Sequence, residues 1–293
     1  MGTMPLGGWK STAAALGLAL VAVSGCATVP YTNRSQFIMM SESDDLKLGA
    51  SAYQQVLKGA KVVRDPRLTD PVQRVGKRIA AVADKPDYQW EFTVIDDPKQ
   101  ANAFCLPGGK VAVYTGIFPI AKDEAGLATV IGHEIAHALA RHGAERMSTG
   151  MALQAAGVAV AIAAGGQSAA TQQAIMGAYG LGAQVGVALP FSRSQESEAD
   201  RIGLILMAKA GYDPEAALGL WQRMEQNGGG KGPPEWLSTH PTEGTRQEDI
   251  QGWIAEARQY FRPPPAPNPP LPSISGTGGS ASGNVGANEP KFR

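Results

Sequence analysis

Cysteine is scarce in this chain of 293 residues, and its positive and negative charges balance. Its two cysteines, Cys26 and Cys105, exclude a disulfide framework and a cysteine-rich zinc finger. Lys and Arg together number 26, as do Asp and Glu, so the formal net charge is zero. Phosphate binding needs a clustered basic surface, so this balance predicts no nucleic-acid partner. The length suffices for one domain with a buried core.

The N-terminus follows the pattern of an export signal. Lys10 provides a positive charge, and residues 13–23 form an apolar run that is too short to span a bilayer as a helix. Val23-Ser24-Gly25-Cys26 resembles a bacterial lipobox, which predicts cleavage before Cys26 and acylation of that residue. An ordinary secretory signal with an incidental cysteine is the alternative. By resemblance to Gram-negative lipoproteins, Ala27 favours the outer membrane.

Composition divides the chain into four parts. Residues 1–25 are the predicted signal peptide, and 26–42 form a lipidated polar tether. A globular domain is predicted over 43–262, followed by a Pro/Gly/Ser-rich tail over 263–293 that is predicted to be disordered.

The globular part mixes helix and strand patterns. Predicted helices cover approximately 43–58, 70–83, 123–142, 192–210, 213–226 and 245–260. Predicted strands cover 90–95, 103–106 and 110–115, the last two forming a hairpin. The Ala- and Gly-rich residues 151–189 predict closely packed helices, with a segment that rests on a membrane as the alternative. Together these patterns predict a mostly helical α+β fold with a small β-sheet.

The strongest chemical signal is His133-Glu134-Ile135-Ala136-His137, an HExxH pattern inside a predicted helix. Residues four apart lie on one helix face, so both imidazoles can reach a single metal ion. Zn²⁺ suits them because it is redox-inert and tolerates a four-coordinate site with an open position. Glu134 lies beside such a metal, where it can take a proton from a water molecule that the metal activates. The alternative is a helix that contains two histidines and an acid by chance.

A third ligand is needed, and no histidine follows at the usual downstream spacing. Glu196 and Asp200 are four apart in a predicted helix and therefore share a face. Glu196 can bind the metal, while Asp200 can accept the ring N–H of a ligand histidine and fix its tautomer. The alternative is a solvated acidic face, to which Glu198 is assigned. His142, five residues beyond His137, is interpreted as a packing or helix-capping residue.

An ordered set of motifs resembles one family of metallopeptidases. The set comprises Asn102-Ala103-Phe104, Leu106-Pro107-Gly108-Gly109, Tyr114-Thr115-Gly116, Gly132 to His137, Phe191-Ser192-Arg193, Glu196 to Asp200, and Thr239-His240-Pro241 with Arg246. Over roughly residues 40–260 the chain is similar to the zinc metallopeptidases that include HtpX, mitochondrial Oma and the CaaX prenyl proteases. The resemblance is greatest to their soluble bacterial lipoprotein branch.

The resemblance implies a thermolysin-like, or zincin, catalytic core that holds one Zn²⁺ through His133, His137 and Glu196. It also implies that an edge of the sheet lies beside the HExxH helix and pairs with the substrate backbone. The strand before the Pro107 turn, or its hairpin partner, is the candidate for this edge, with Asn102, Ala103 and Phe104 as the predicted substrate-binding residues.

Two further roles depend on the same resemblance. His240 could donate a hydrogen bond to the tetrahedral oxyanion, cap the metal in a resting state, or simply close its loop. Arg246 is expected to be the structural partner of a carboxylate such as Asp200.

The predicted function is a zinc-dependent endopeptidase of the cell envelope that acts on misfolded or unassembled envelope proteins, with the substrates implied by resemblance only. The lipid on Cys26 would hold it at the membrane, on the periplasmic face of the outer membrane. A catalytically latent, zinc-stabilised chaperone or binding module for envelope proteins is the alternative, and a purely structural lipoprotein is a third.

Overall fold

The computed structural model describes residues 26–165, 192–227, 240, 245–263 and 270–272, with isolated positions between 168 and 173. The strands are β1 Cys26–Thr28, β2 Ser35–Phe37, β3 Glu91–Ile95, β4 Ala103–Leu106 and β5 Lys110–Tyr114. The helices are α1 Glu42–Gly59, α2 Pro66–Ala80, α3 Phe118–Ala121, α4 Glu124–Leu139, α5 His142–Ala164, α6 Arg193–Lys209, α7 Ala216–Asn227 and α8 Arg246–Arg258. The predicted α+β fold is confirmed.

The main sheet has three strands in the order β3-β5-β4. β5 runs parallel to β3 and antiparallel to β4, and Gly108 and Gly109 adopt positive φ angles in the turn between β4 and β5. β5 is therefore the central strand, so the alternative in which it supplies the edge is wrong. Among the described strands β4 pairs with β5 alone, and it packs against α4, which places the predicted edge beside the HExxH helix.

Helix α4 carries the HExxH residues through the centre of the molecule. Asp123 caps it by accepting a hydrogen bond from the backbone N–H of Gly126 at 2.8 Å. Every residue from Glu124 to Leu139 is buried, because α2, α6, α7 and β4 pack around the helix. This burial places the HExxH side chains in the core, away from water.

Helix α6 is the main packing partner of α4. A capping box lies at its predicted start, since the Ser192 side chain accepts from the backbone of Gln195 and the Gln195 side chain accepts from the backbone of Ser192. Gly211 ends this region with a φ of 83°. Where the helices cross, a Cβ added to Gly203 would lie 3.0 Å from the backbone nitrogen of His133. The two backbones can therefore approach closely only because both crossing positions, Gly132 and Gly203, lack side chains.

Two helix starts differ from the prediction. α1 begins at Glu42 with Ser41 as its cap, one residue before the predicted start at 43. α2 begins at Pro66, because Asp65 accepts from the backbone N–H of Arg67 and proline suits the first helical position. Pro71 consequently lies inside α2 rather than at its start.

The predicted tether is folded rather than free. β1 and β2 form an antiparallel hairpin, and Val29 within it is fully buried in the main core. Part of the predicted disordered tail is also ordered, since the Leu271 N–H donates to the Lys122 carbonyl at 2.9 Å. The burial of Val29 in the main core and the bond of Leu271 to Lys122 both join residues far apart in sequence, so local composition does not reveal them.

Two other predictions concern segments that the structure describes only partly. The Ala- and Gly-rich region begins within α5, which ends at Ala164, and most of residues 166–191 lie outside the described residues, as does the predicted signal peptide. Within the described part of the chain, no helix combines the length and apolar character that crossing a membrane requires.

Candidate active site

Three predicted ligands converge between α4 and α6. The Nε2 atoms of His133 and His137 are 3.1 Å apart. Glu196 presents Oε1 at 3.3 Å from His137 Nε2 and Oε2 at 3.4 Å from His133 Nε2. The first turn of α6 thus aims a carboxylate at the two imidazoles of α4.

His240 adds a fourth donor to this group. Its Nδ1 lies 2.9 Å from Glu196 Oε1 and 3.3 Å from His133 Nε2. One donor atom from each of His133, His137, Glu196 and His240 lies within 4.8 Å of the others, and all four residues are buried. The neighbours Thr239 and Pro241 lie outside the described residues, as does Phe191.

This donor set fits a zinc ion. Imidazole nitrogens and a carboxylate oxygen are the ligands that Zn²⁺ takes in hydrolytic sites. Glu196 Oε2 is buried and accepts no hydrogen bond from the described residues, and the nearest permanent cation among them is the Arg246 guanidinium at 3.9 Å. This oxygen is therefore available to a metal ion between the histidines.

Asp200 orients His133 from one turn further along α6. Its Oδ1 lies 2.9 Å from His133 Nδ1, so the ring presents Nε2 to the other ligands. Arg246 donates to both Asp200 oxygens at 2.7 Å, as predicted, and its guanidinium stacks 3.3 Å from the centre of the Trp221 ring. The arginine thus balances the buried charge of Asp200 and holds it in place.

Glu134 points into the same buried space without joining the donor group. Its Oε1 lies 3.5 Å from His240 Nε2, and the residue is only 3% exposed. Burial raises the pKa of Glu134, which brings it closer to the range in which a carboxyl group both accepts and returns a proton.

The electrostatics of the group follow from burial and mutual contact. Burial opposes charge on His133, but its contacts with Asp200 and Glu196 outweigh this and raise its pKa to about 9. His137 behaves in the opposite way, because burial and the neighbouring His133 hold its pKa well below its usual value. Burial alone would raise the pKa of Glu196, yet hydrogen bonds from the histidines hold it far below normal. The carboxylate is therefore anionic at neutral pH.

Two residues assigned other roles by sequence belong to the surroundings of this site. His142 is fully buried, and its Nδ1 lies 2.8 Å from Nδ1 of His137. Glu198 was assigned to a solvated face, but it is buried and lies 3.0 Å from His142 Nε2. Helical periodicity misses both contacts, because α4 ends at Leu139 and the chain turns at Arg141.

The predicted substrate strand lies at the free edge of the sheet. The Asn102 carbonyl accepts from the Tyr114 N–H at 3.0 Å, and the Asn102 side chain accepts from the Ala103 N–H at 2.9 Å. Phe104 packs against Tyr114, with ring centres 6.3 Å apart. The Tyr114–Asn102 bond lies on the β5 side of β4, whereas the Ala103 N–H points to the outer edge, where the Asn102 side chain accepts it. That outer edge has no strand partner among the described residues.

A helix-borne HExxH pair, a carboxylate from a second helix and an edge strand alongside define a metallopeptidase with a zincin-like core. The model of Peptidase family M48 matches residues 66–254. The chain therefore belongs to peptidase family M48, and it is a metalloendopeptidase that uses zinc.

Curated relatives agree with this assignment. The chain is 40% identical over 234 residues to the mitochondrial metalloendopeptidase OMA1 of Schizosaccharomyces pombe, covering 78% of this chain and 67% of that protein. It is 31% identical over 229 residues to the beta-barrel assembly-enhancing protease of Yersinia pestis, covering 76% and 46%. It is 32% identical over 258 residues to human OMA1, covering 82% and 48%. The chain thus spans less than half the length of the last two relatives.

Proposed function

We propose that this chain is a zinc endopeptidase of the bacterial cell envelope in which His133, His137 and Glu196 hold the metal and Glu134 is the general base. The observation that carries the proposal is the convergence of these three donors in one buried space, into which the Glu134 carboxylate also points. Glu134 Oε1 lies 3.5 Å from Nε2 of His240, whose other ring nitrogen joins the donor group, and its raised pKa suits proton transfer in both directions.

Bound between these donors, Zn²⁺ would supply Lewis acidity that polarises the scissile carbonyl and acidifies the attacking water. Glu134 takes the proton of that water as the water attacks, and later delivers it to the leaving amine nitrogen. Asp200 keeps His133 in the tautomer that leaves Nε2 available, and Arg246 keeps Asp200 ionised. Burial of the whole group excludes competing water and strengthens each of these contacts.

Substrate recognition would use the free edge of β4. An extended peptide that adds to this edge bonds through its main chain, so β4 and the preceding Asn102, with Ala103 and Phe104 at the start of the strand, would bind many sequences. The packing of β4 against α4 supports this role, because α4 carries Glu134 and so places the general base beside the strand along which the scissile bond would lie.

The position of His240 favours a second, latent state. Its Nδ1 lies among the ligand atoms, and His133, Glu134 and His240 itself are each at most 3% exposed. A substrate carbonyl can reach the site only after His240 moves. In the resting arrangement the protein would act as a zinc-stabilised binding module for envelope proteins, and after opening the same ring could donate to the oxyanion.

Substitution of His240 by alanine distinguishes the two roles. An oxyanion donor predicts that kcat falls by roughly 10²–10³-fold. A resting cap predicts a higher basal rate of casein cleavage instead. Steady-state cleavage by wild type and His240→Ala, at matched zinc content, decides between them.

Two observations support the proposed location in the cell envelope and the proposed substrates. The lipobox-like segment predicts a lipid on Cys26, the first residue of β1. The Yersinia relative is named for enhancing β-barrel assembly, which points to envelope polypeptides as substrates. Because the hairpin that follows Cys26 packs into the domain, such an anchor would hold the active site close to the membrane. We place the protein on the periplasmic face of the outer membrane, and release of Cys26→Ser from membrane fractions tests the anchor.

The decisive experiment is Glu134→Gln. The variant should keep one zinc ion per chain but lose casein cleavage by at least 10²-fold, since general base catalysis contributes roughly 10²–10⁴-fold. Glu196→Ala is the matched contrast, because it should lose the metal itself. A purified Glu134→Gln protein that cleaves at the wild-type rate would dispose of the base assignment.

A further inference from the structure

His142 reaches the metal centre because the chain turns sharply after α4. In a continuous helix, residues five apart are separated by roughly 140° around the axis and do not meet. Here Arg141 adopts a left-handed conformation with φ 54°, and its side chain is held by Asp45 at 3.0 Å. α5 then begins at His142, whose Nδ1 lies 2.8 Å from His137 Nδ1. The turn therefore brings the outer nitrogen of His137 against a second imidazole.

One arrangement of protons satisfies the hydrogen bonds that run from His137 through His142 to Glu198. His137 presents Nε2 to Glu196, so a ring that binds metal through Nε2 carries its proton on Nδ1. That N–H donates to Nδ1 of His142, which leaves the His142 proton on Nε2. The His142 N–H in turn donates to Glu198 Oε2 at 3.0 Å. The tautomer of both rings is thus set by a single buried carboxylate.

Glu198 is itself held by the N-terminal hairpin. The Thr32 hydroxyl donates to one carboxylate oxygen and Arg34 Nε donates to the other at 2.9 Å. Arg34 also binds Glu145 through both terminal nitrogens, at 2.7 and 2.9 Å. Both Thr32 and Arg34 lie in the turn between β1 and β2, so this short segment fixes the orientation of Glu198.

The two histidines of α4 therefore have matching supports. His133 is backed directly by Asp200, which Arg246 braces, and His137 is backed through His142 by Glu198, which Arg34 braces. Groups that hold the outer nitrogen of a ligand histidine fix its orientation and raise its basicity.

We propose that His142 and Glu198 are positioning residues for the ligand His137, and that Thr32 and Arg34 connect them to the N-terminal hairpin. The inference depends on the role of His137 as a zinc ligand, given under the proposed function. It makes the folded N-terminal hairpin a part of the metal centre's support rather than only a link to the membrane.

The test measures zinc affinity by competition with a chromophoric chelator, on full chains whose folding is checked by circular dichroism. His142→Leu removes the relay and should weaken zinc binding by roughly 10–100-fold. His142→Asn keeps a hydrogen-bond acceptor near Nδ1 of His137 and should lose less zinc affinity. Arg201→Gln is the control. Arg201 lies on α6, like Glu198, but pairs with the partly exposed Glu256 at 2.9 Å, so the zinc affinity of this variant should stay near that of wild type.

A second readout separates positioning from general stability. In the cobalt(II)-substituted protein, His142→Leu should shift the visible absorption bands, whereas Arg201→Gln should not. Should His142→Leu fail to fold, the near-isosteric Glu198→Gln replaces it and is expected to weaken zinc binding in the same direction.

The outcomes are distinct from those that test the proposed function. A folded His142→Leu or Glu198→Gln with wild-type zinc affinity and wild-type cobalt bands overturns the relay. A His137→Ala protein that still binds zinc at wild-type affinity instead overturns the ligand assignment on which the relay depends. Weaker binding in the His142 variants, with the control unchanged, supports the proposal.

Discussion

Replacing Gly203 by alanine tests whether the close crossing of α4 and α6 sets the geometry of the metal site. The added Cβ would lie 3.0 Å from the His133 nitrogen and 3.1 Å from the His133 Cα. Both neighbours are backbone atoms, so no rotation of a side chain can relieve the contact. The helices must instead move apart by a few tenths of an ångström, which also draws Glu196 and Asp200 away from His133.

The magnitude follows from two opposing contributions to the free energy of unfolding. Alanine is favoured over glycine in a helix interior by about 1 kcal/mol. Overpacking a buried contact costs about 1–3 kcal/mol. Gly252→Ala in α8 isolates the first contribution, because a Cβ there meets nothing within 4 Å. The difference between the two variants therefore cancels helix propensity and should equal the overpacking cost, with Gly203→Ala the less stable by about 1–3 kcal/mol.

The assay is urea unfolding of both variants and wild type, without zinc and with one equivalent of zinc. Gly252→Ala should raise the midpoint and leave zinc affinity unchanged. Gly203→Ala should lower the midpoint relative to Gly252→Ala and weaken zinc binding. Equal stabilisation by the two substitutions, with unchanged zinc affinity, would refute the claim that this crossing is at its closest approach.

Three other outcomes are expected. A chelator should abolish cleavage, and stoichiometric zinc should restore it, as measured by peptide hydrolysis. Arg246→Met leaves the buried Asp200 charge without its partner, so unfolding should become easier by about 3–5 kcal/mol and zinc affinity should fall. Burial alone would raise the pKa of Glu198, but hydrogen bonds from His142, Thr32 and Arg34 lower it from 4.5 to about 2. The stabilisation from this lowered pKa is complete above pH 4.5 and is lost as pH falls towards 2, so the difference in Tm between wild type and Glu198→Gln should shrink across that range.

Local signals predicted the elements that depend on local chemistry. The HExxH helix, the helix that starts near residue 192 and the hairpin around Gly108 are encoded in short stretches, and the structure contains each of them. The i to i+4 spacing of Glu196 and Asp200 correctly placed both carboxylates against the α4 histidines, since it depends only on helix periodicity.

The missed features depend on contacts that no local pattern encodes. The hairpin at residues 26–37 is held partly by Arg34, whose partners Glu145 and Glu198 lie more than 100 residues away. The role of His142 depends on a left-handed conformation at Arg141, a non-glycine residue for which that conformation is uncommon. A periodic helix extended through residue 142 would direct this imidazole away from His137, so the sequence pattern does not predict the contact between the two rings.

The alternation of three acids along α6 shows why one helix controls the whole site. Glu196 and Asp200 share the face that meets α4 and α8, while Glu198, two residues from each, points to the other side towards α5 and the hairpin. A single helix therefore supplies one proposed ligand and the carboxylates behind both proposed ligand histidines. A displacement of α6 would move all three together, so we expect the separation of α4 and α6 at Gly132 and Gly203 to affect zinc affinity more strongly than any one exposed contact.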